Sequence, residues 1–158
     1  YTPAVVRRNP KLMYAVAVWF AVCLSVADLR SAEVTVTDPD GASVRWSDWI
    51  EDRGPAAVVL WASWVPNAEA TLKEWNDIAR VARSKDLSPI LVSVQENAAE
   101  TRASLGDAEV PWMNDRYGGL LKQFRVVEIP AMVIIAGDGR VVARLEPTAN
   151  ALREWKSE

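Results

Sequence analysis

Histidine is absent from this 158-residue chain, and cysteine occurs once, as Cys23. The first absence removes imidazole as a general base, as a zinc or copper ligand and as an axial ligand to haem or chlorophyll. The second leaves no partner for an intrachain disulfide and no Cys-x-x-Cys pair. Few enzyme classes survive both losses, and no cofactor or metal is expected. Long runs of one charge sign are missing too. With a net charge of -3 and a pI near 5.1, the chain offers no basic face for nucleic acid. There is no internal repeat and no low-complexity linker.

What remains is a globular composition: 50% hydrophobic and 25% charged residues, enough for one domain of ordinary size with an appendage. Tryptophan is abundant, with eight residues at 19, 46, 49, 61, 64, 75, 112 and 155. Its large apolar area makes it a frequent core residue and a frequent interface anchor. Trp46 and Trp49 flank a short polar segment and are expected, with Trp19, at an interface. Trp112 and Tyr117 are expected to pack in the ordinary way.

Leu12 to Ala27 is sixteen residues without a charge, preceded by Arg7, Arg8 and Lys11 and followed by Asp28, Arg30 and Glu33. As a helix it would extend about 24 Å, slightly short of a hydrocarbon core, and flanking Leu29 with snorkelling Lys11 and Arg30 closes the gap. The segment is expected to be an uncleaved transmembrane anchor over residues 12–29. Its basic N-terminal flank puts residues 1–11 in the cytoplasm and residues 33–158 outside it, in the periplasm of a bacterial inner membrane. Cys23 is expected to be a membrane-buried packing residue.

From Glu33 onward, strand and helix patterns alternate. Val34–Thr37 is a short β run ending at the turn Asp38-Pro39-Asp40-Gly41. Ala56–Trp61 is a continuous apolar run, as a strand buried on both faces should be. Pro66 suits the first turn of a following helix, in which Ala68, Leu72, Trp75, Ile78, Ala79 and Ala82 recur on one face. Glu69 and Asp77, on the other face, read as solvated charges and not as an acid–base pair. Pro89–Val94 is a second buried strand. Ala98–Leu105 is a short helix, and Asp115–Phe124 a weaker one. Ala131–Ala136 and Arg140–Leu145 are strands joined by the hairpin signal Gly137-Asp138-Gly139, and Thr148–Trp155 is a closing helix. This order makes an α/β domain with a mixed sheet flanked by helices.

Three pieces carry a family resemblance: Trp61 to Ala68, reading W-A-S-W-V-P-N-A; Phe124 to Ile135, reading F-R-V-V-E-I-P-A-M-V-I-I; and the turn Ala136 to Arg140. They resemble membrane-anchored, thioredoxin-like thiol-disulfide interchange proteins of the cytochrome-maturation type, over about residues 34–146. The first piece is similar to W-A-S-W-C-P-P-C, with Val65 and Ala68 where that family carries its two reactive cysteines and Asn67 in place of the second proline. The resemblance implies a cis Ile129–Pro130 bond and a groove formed by Trp64, Ile129 and Pro130. Thiol exchange needs a thiolate, which Val65-Pro66-Asn67-Ala68 cannot supply. Ser63 has no histidine to activate it. The residues and the resemblance together predict a redox-inactive thioredoxin-like subunit, not an enzyme, docked into a larger integral membrane complex of the respiratory or photosynthetic electron-transfer kind. The alternative expectation is an extracytoplasmic client-binding assembly factor or chaperone that uses the degenerate groove.

Overall fold

The computed structural model describes residues 33–156, so the expected anchor at 12–29, Trp19 and Cys23 lie outside the described residues. The elements run β1 (Thr35–Thr37), β2 (Ser43–Arg45), α1 (Trp46–Arg53), β3 (Ala56–Trp61), α2 (Ala68–Ser84), β4 (Ser88–Val94), α3 (Ala98–Leu105), β5 (Trp112–Asp115), α4 (Gly119–Phe124), β6 (Ala131–Ile135), β7 (Val141–Leu145) and α5 (Ala149–Glu154). Among the described residues, no helix is long and apolar enough to cross a membrane.

All seven strands form one sheet in the order β2-β1-β5-β4-β3-β6-β7. The three central strands β5, β4 and β3 are parallel, and the outer pairings are antiparallel. Strand β3 is buried along its whole length, and its side chains alternate between two cores. Ala57, Val59 and Trp61 face one layer with Trp75 and Ile78 of α2, Leu105 of α3 and Leu152 of α5. Ala56, Val58 and Leu60 face the other with Trp46 and Ile50 of α1 and Leu120 and Phe124 of α4. The period of two along an unbroken apolar run is what a central strand covered by helices on both faces requires. The fold is the α/β sandwich with a mixed sheet flanked by helices that the order of elements led us to expect.

Several elements depart from the sequence reading. Strands β2 and β5 and helix α1 were not anticipated. The expected helix Asp115–Phe124 divides, with Asp115 ending β5 and the helix starting at Gly119. The reason is capping: Asp115 is buried, and its two carboxylate oxygens accept the Gly119 and Leu120 N–H groups at 3.0 and 2.7 Å.

The interface expected at Trp46 and Trp49 is corrected. Both indoles are buried, stacked on each other at 5.0 Å between centroids, with Phe124 edge-on to Trp46 at 5.9 Å. Placed three residues apart on α1, they form one apolar face and cover the sheet. They are core residues of the domain.

Candidate functional site at one end of the sheet

Strands β3, β4 and β5 run in the same direction and end at Trp61, Val94 and Asp115, whereas antiparallel β6 begins at Ala131 opposite Leu60. The segments 62–67, 95–97, 116–118 and 125–130 therefore gather at one end of the sheet. Helix C-caps and strand-to-helix turns crowd there, and the backbone shows it. Of the four non-glycine residues with positive φ among the described residues, three lie in these segments: Asn67 at 65°, Gln95 at 57° and Arg125 at 53°. Each left-handed non-glycine residue costs about 1 kcal/mol or more, and such strain concentrates at ligand clamps and functional loops.

The Trp64–Ala68 stretch sits between β3 and α2, but not as the sequence suggested. Helix α2 begins at Ala68, two residues later than a helix with Pro66 in its first turn. Asn67 takes the left-handed conformation, which asparagine tolerates and proline cannot adopt. The chain before it folds into turns, with Val65 N–H donating to the Ala62 carbonyl and Ala68 N–H to the Val65 carbonyl at 3.4 and 3.3 Å. The left-handed Asn67 is thus the local reason that the helix starts at Ala68 and not at Pro66. The buried Trp61 indole N–H donates to the Ala68 carbonyl at 3.0 Å and ties the strand end to the new start.

The two positions where the resemblance would put cysteines are filled by apolar side chains. Val65 and Ala68 are buried and belong to the core cluster of Trp61 and Trp75, against which Ile129 packs. The Ile129–Pro130 peptide is cis, the isomer implied by the resemblance, and both residues are half-buried. Trp64, in contrast, is 59% exposed. A shallow pocket of about 470 Å³, lined by Ser63, Val65, Asn67, Ala68 and Lys73 among others, lies alongside.

Two further large apolar side chains stand exposed at this end. Tyr117 is 82% exposed and Val127 is 96% exposed. With Trp64 they make three of the four large hydrophobic side chains that are exposed among the described residues; the fourth, Val142, lies at the opposite end of the sheet, where β7 starts beside Ile135. Tyr117 was expected to pack, and it does not, because Gly118 turns the chain sharply after β5. A Cβ on Gly118, at φ +66°, would lie 3.3 Å from Gln95 Cγ and Leu121 Cδ1. Trp112, also expected to pack, does so.

Beneath these loops lies a polar network that the sequence did not advertise. Glu96 follows β4 and is 5% exposed. Its Oε2 accepts the Ser63 N–H at 2.9 Å and the Ser63 hydroxyl at 2.6 Å, and its Oε1 accepts the Thr101 hydroxyl at 3.0 Å. Asn114 donates its side-chain amide to Ser93 Oγ and to the Glu96 carbonyl at 2.9 and 3.0 Å. Ser63 is thereby committed as a donor. Among the described residues, no three His, Cys, Asp or Glu side chains are grouped to hold a metal ion.

Comparison with known proteins places this geometry in context. No protein-family model matches the sequence, and no curated protein matches it. Solved structures do match. StoA from Bacillus subtilis is 19% identical over 79% of this chain and 96% of its own, with a TM-score of 0.61. The exposed lipoprotein thioredoxin Etrx1 of Streptococcus pneumoniae is 23% identical over 78% of this chain and 100% of its own, with a TM-score of 0.59. A secreted Mycobacterium tuberculosis disulfide oxidoreductase homologous to Escherichia coli DsbE is 20% identical over 76% of this chain and 87% of its own, with a TM-score of 0.55. The chain has the fold of thioredoxin-like thiol-disulfide oxidoreductases, without their Cys-x-x-Cys pair.

Proposed function

We propose that this thioredoxin-like domain is redox-inactive and serves as a docking subunit of a larger membrane protein assembly, held at the periplasmic face of a bacterial inner membrane by residues 12–29. The observation that carries the reading is the pairing of Val65 and Ala68, buried where the resemblance puts reactive cysteines, with Trp64 exposed between the strand end and that filled site. Disulfide exchange requires a nucleophilic thiolate and a leaving thiolate, and these side chains provide neither. Exposed aromatic residues on a polar rim are what protein interfaces bury at their centres. A fold that keeps its frame after losing its chemistry is retained for its surface.

Extraction of the native protein in a mild detergent tests the proposal. Co-purification with membrane partners at fixed stoichiometry is expected, and recovery as a lone monomer contradicts it. A second reading rests on the cis Ile129–Pro130 loop beside Trp64: an assembly factor that holds an extended client segment by backbone pairing. Sub-stoichiometric, exchangeable crosslinks from Trp64 to many secreted proteins would favour that reading over a fixed complex.

A further inference from the structure

Glu96 is a buried carboxylate with no cation paired to it among the described residues. Burying a carboxylate is costly unless hydrogen bonds replace its water. Here they do, and the donors are unevenly placed. One oxygen takes a hydroxyl from α3, through Thr101, whereas the other takes both the amide and the hydroxyl of Ser63. Ser63 immediately precedes Trp64 and lies in the turn between β3 and α2. Within the loop, the next backbone bond is long, with the Val65 N–H reaching the Ala62 carbonyl at 3.4 Å, and the Trp61 indole holds only the far end, at the Ala68 carbonyl. Asp115 does the same for the neighbouring turn, where its carboxylate holds Gly119 and Leu120 and its carbonyl accepts the Gly118 N–H at 3.1 Å, two residues from Tyr117.

We propose that Glu96 is a positioning residue: it clamps Ser63, and through it fixes the Trp61–Asn67 loop, so that Trp64 is presented in one geometry to a docking partner. This rests on the docking reading above. A core needs only an apolar residue at position 96 to pack, and apolar replacement of buried polar groups is often neutral or stabilising. An anchor that must meet a partner without ordering itself first needs its loop fixed beforehand. The clamp works by hydrogen-bond acceptance, not by charge. Glu96→Gln keeps an acceptor oxygen facing Ser63, and its amide can donate to the Thr101 hydroxyl; Glu96→Ala removes both.

Amide hydrogen exchange on the full-length chain reads the clamp directly, because the Ser63 N–H is itself one of its bonds. In Glu96→Ala, exchange at Ser63 is expected to speed up by about tenfold or more, with the β3 amides of Val58 and Leu60 unchanged. In Glu96→Gln it should stay within about threefold of wild type. Partner retention should follow the same order, lost in Glu96→Ala and kept in Glu96→Gln. Unchanged Ser63 exchange in Glu96→Ala, equally fast exchange in both variants, or a loosened loop that still retains the partner fully would each overturn the proposal. Should Glu96→Ala fail to fold, Ser63→Ala removes only the 2.6 Å hydroxyl bond. Faster exchange at Trp64 and Val65 is then expected, and no change overturns the clamp. A fast Ser63 amide in Glu96→Ala, with no partner on the wild-type protein, supports the clamp and removes the docking reading, so the two fail separately.

Discussion

Two tryptophan-bearing segments of this domain look alike in sequence and differ entirely in placement. Trp46-Ser-Asp-Trp49 places two polar residues between two tryptophans, and Trp61-Ala-Ser-Trp64 does nearly the same at the end of β3. In the first, α1 lays both indoles on one face, stacked at 5.0 Å and buried in the core. In the second, the strand ends after Trp61, which stays inside, and the turn that follows throws Trp64 out to 59% exposure. Helical spacing of three puts two side chains together; a strand end followed by a turn puts them apart. The difference separates a stabilising pair from a candidate recognition residue.

The largest effect that can break this comparison is on stability. Trp46→Ala should cost about 3–5 kcal/mol, because it empties a well-packed volume and removes both the Trp49 stack and the Phe124 edge contact. Chemical denaturation measures it, and a loss below about 1 kcal/mol would mean that the pair is not core. Trp64→Ala should instead weaken partner binding by about 2 kcal/mol, roughly thirtyfold in affinity. Its denaturation midpoint should shift by no more than the equivalent of about 0.5 kcal/mol.

Smaller effects sharpen the account of the loop. Asn67→Pro should destabilise by about 1–3 kcal/mol, since proline cannot reach the φ of +65° found there. An unchanged or raised melting temperature would show that the displaced helix start has another cause. Gly118→Ala should cost about 1 kcal/mol or slightly more, from its positive φ and the 3.3 Å approach of Gln95 and Leu121. It should also perturb Tyr117 before it perturbs Trp64, which tyrosine and tryptophan side-chain NMR can separate.

The sequence made the fold legible where its periodicities were long. The apolar run of β3, the amphipathic face of α2 and the glycine turn between β6 and β7 all fall where expected, within a residue or two at their ends. Short elements were not legible. Strand β5 spans only four residues, Trp112–Asp115, and carries two polar ones, Asn114 and Asp115, that are buried because the network and the α4 cap need them. Helix α1 has Arg45 at its N-cap and no side-chain cap bond, so it lacked the strongest start signal, and Asp48 in its first turn was a weak one.

At the candidate site, the resemblance implied the cis Ile129–Pro130 bond that the structure has, but not the surface around it. Exposure of Tyr117 and Val127 depends on turns whose geometry is set by Gly118 and Arg125, and a single sequence does not announce which apolar residue a turn will expose. Glu96 was invisible for a related reason. Among nineteen acidic residues between 33 and 156, its spacing is unremarked, and only the approach of the β3 and β4 ends brings Ser63 to it.

Position-specific crosslinking in native membranes tests the central claim most directly: that this domain acts through the sheet end surrounding its filled, cysteine-free site. A photoreactive residue placed at 64 or 127 should crosslink to the same stoichiometric membrane partner, while one at Val142, 44% exposed at the opposite end, should not. Equal crosslinking from all three positions, or from 142 alone, would contradict the account.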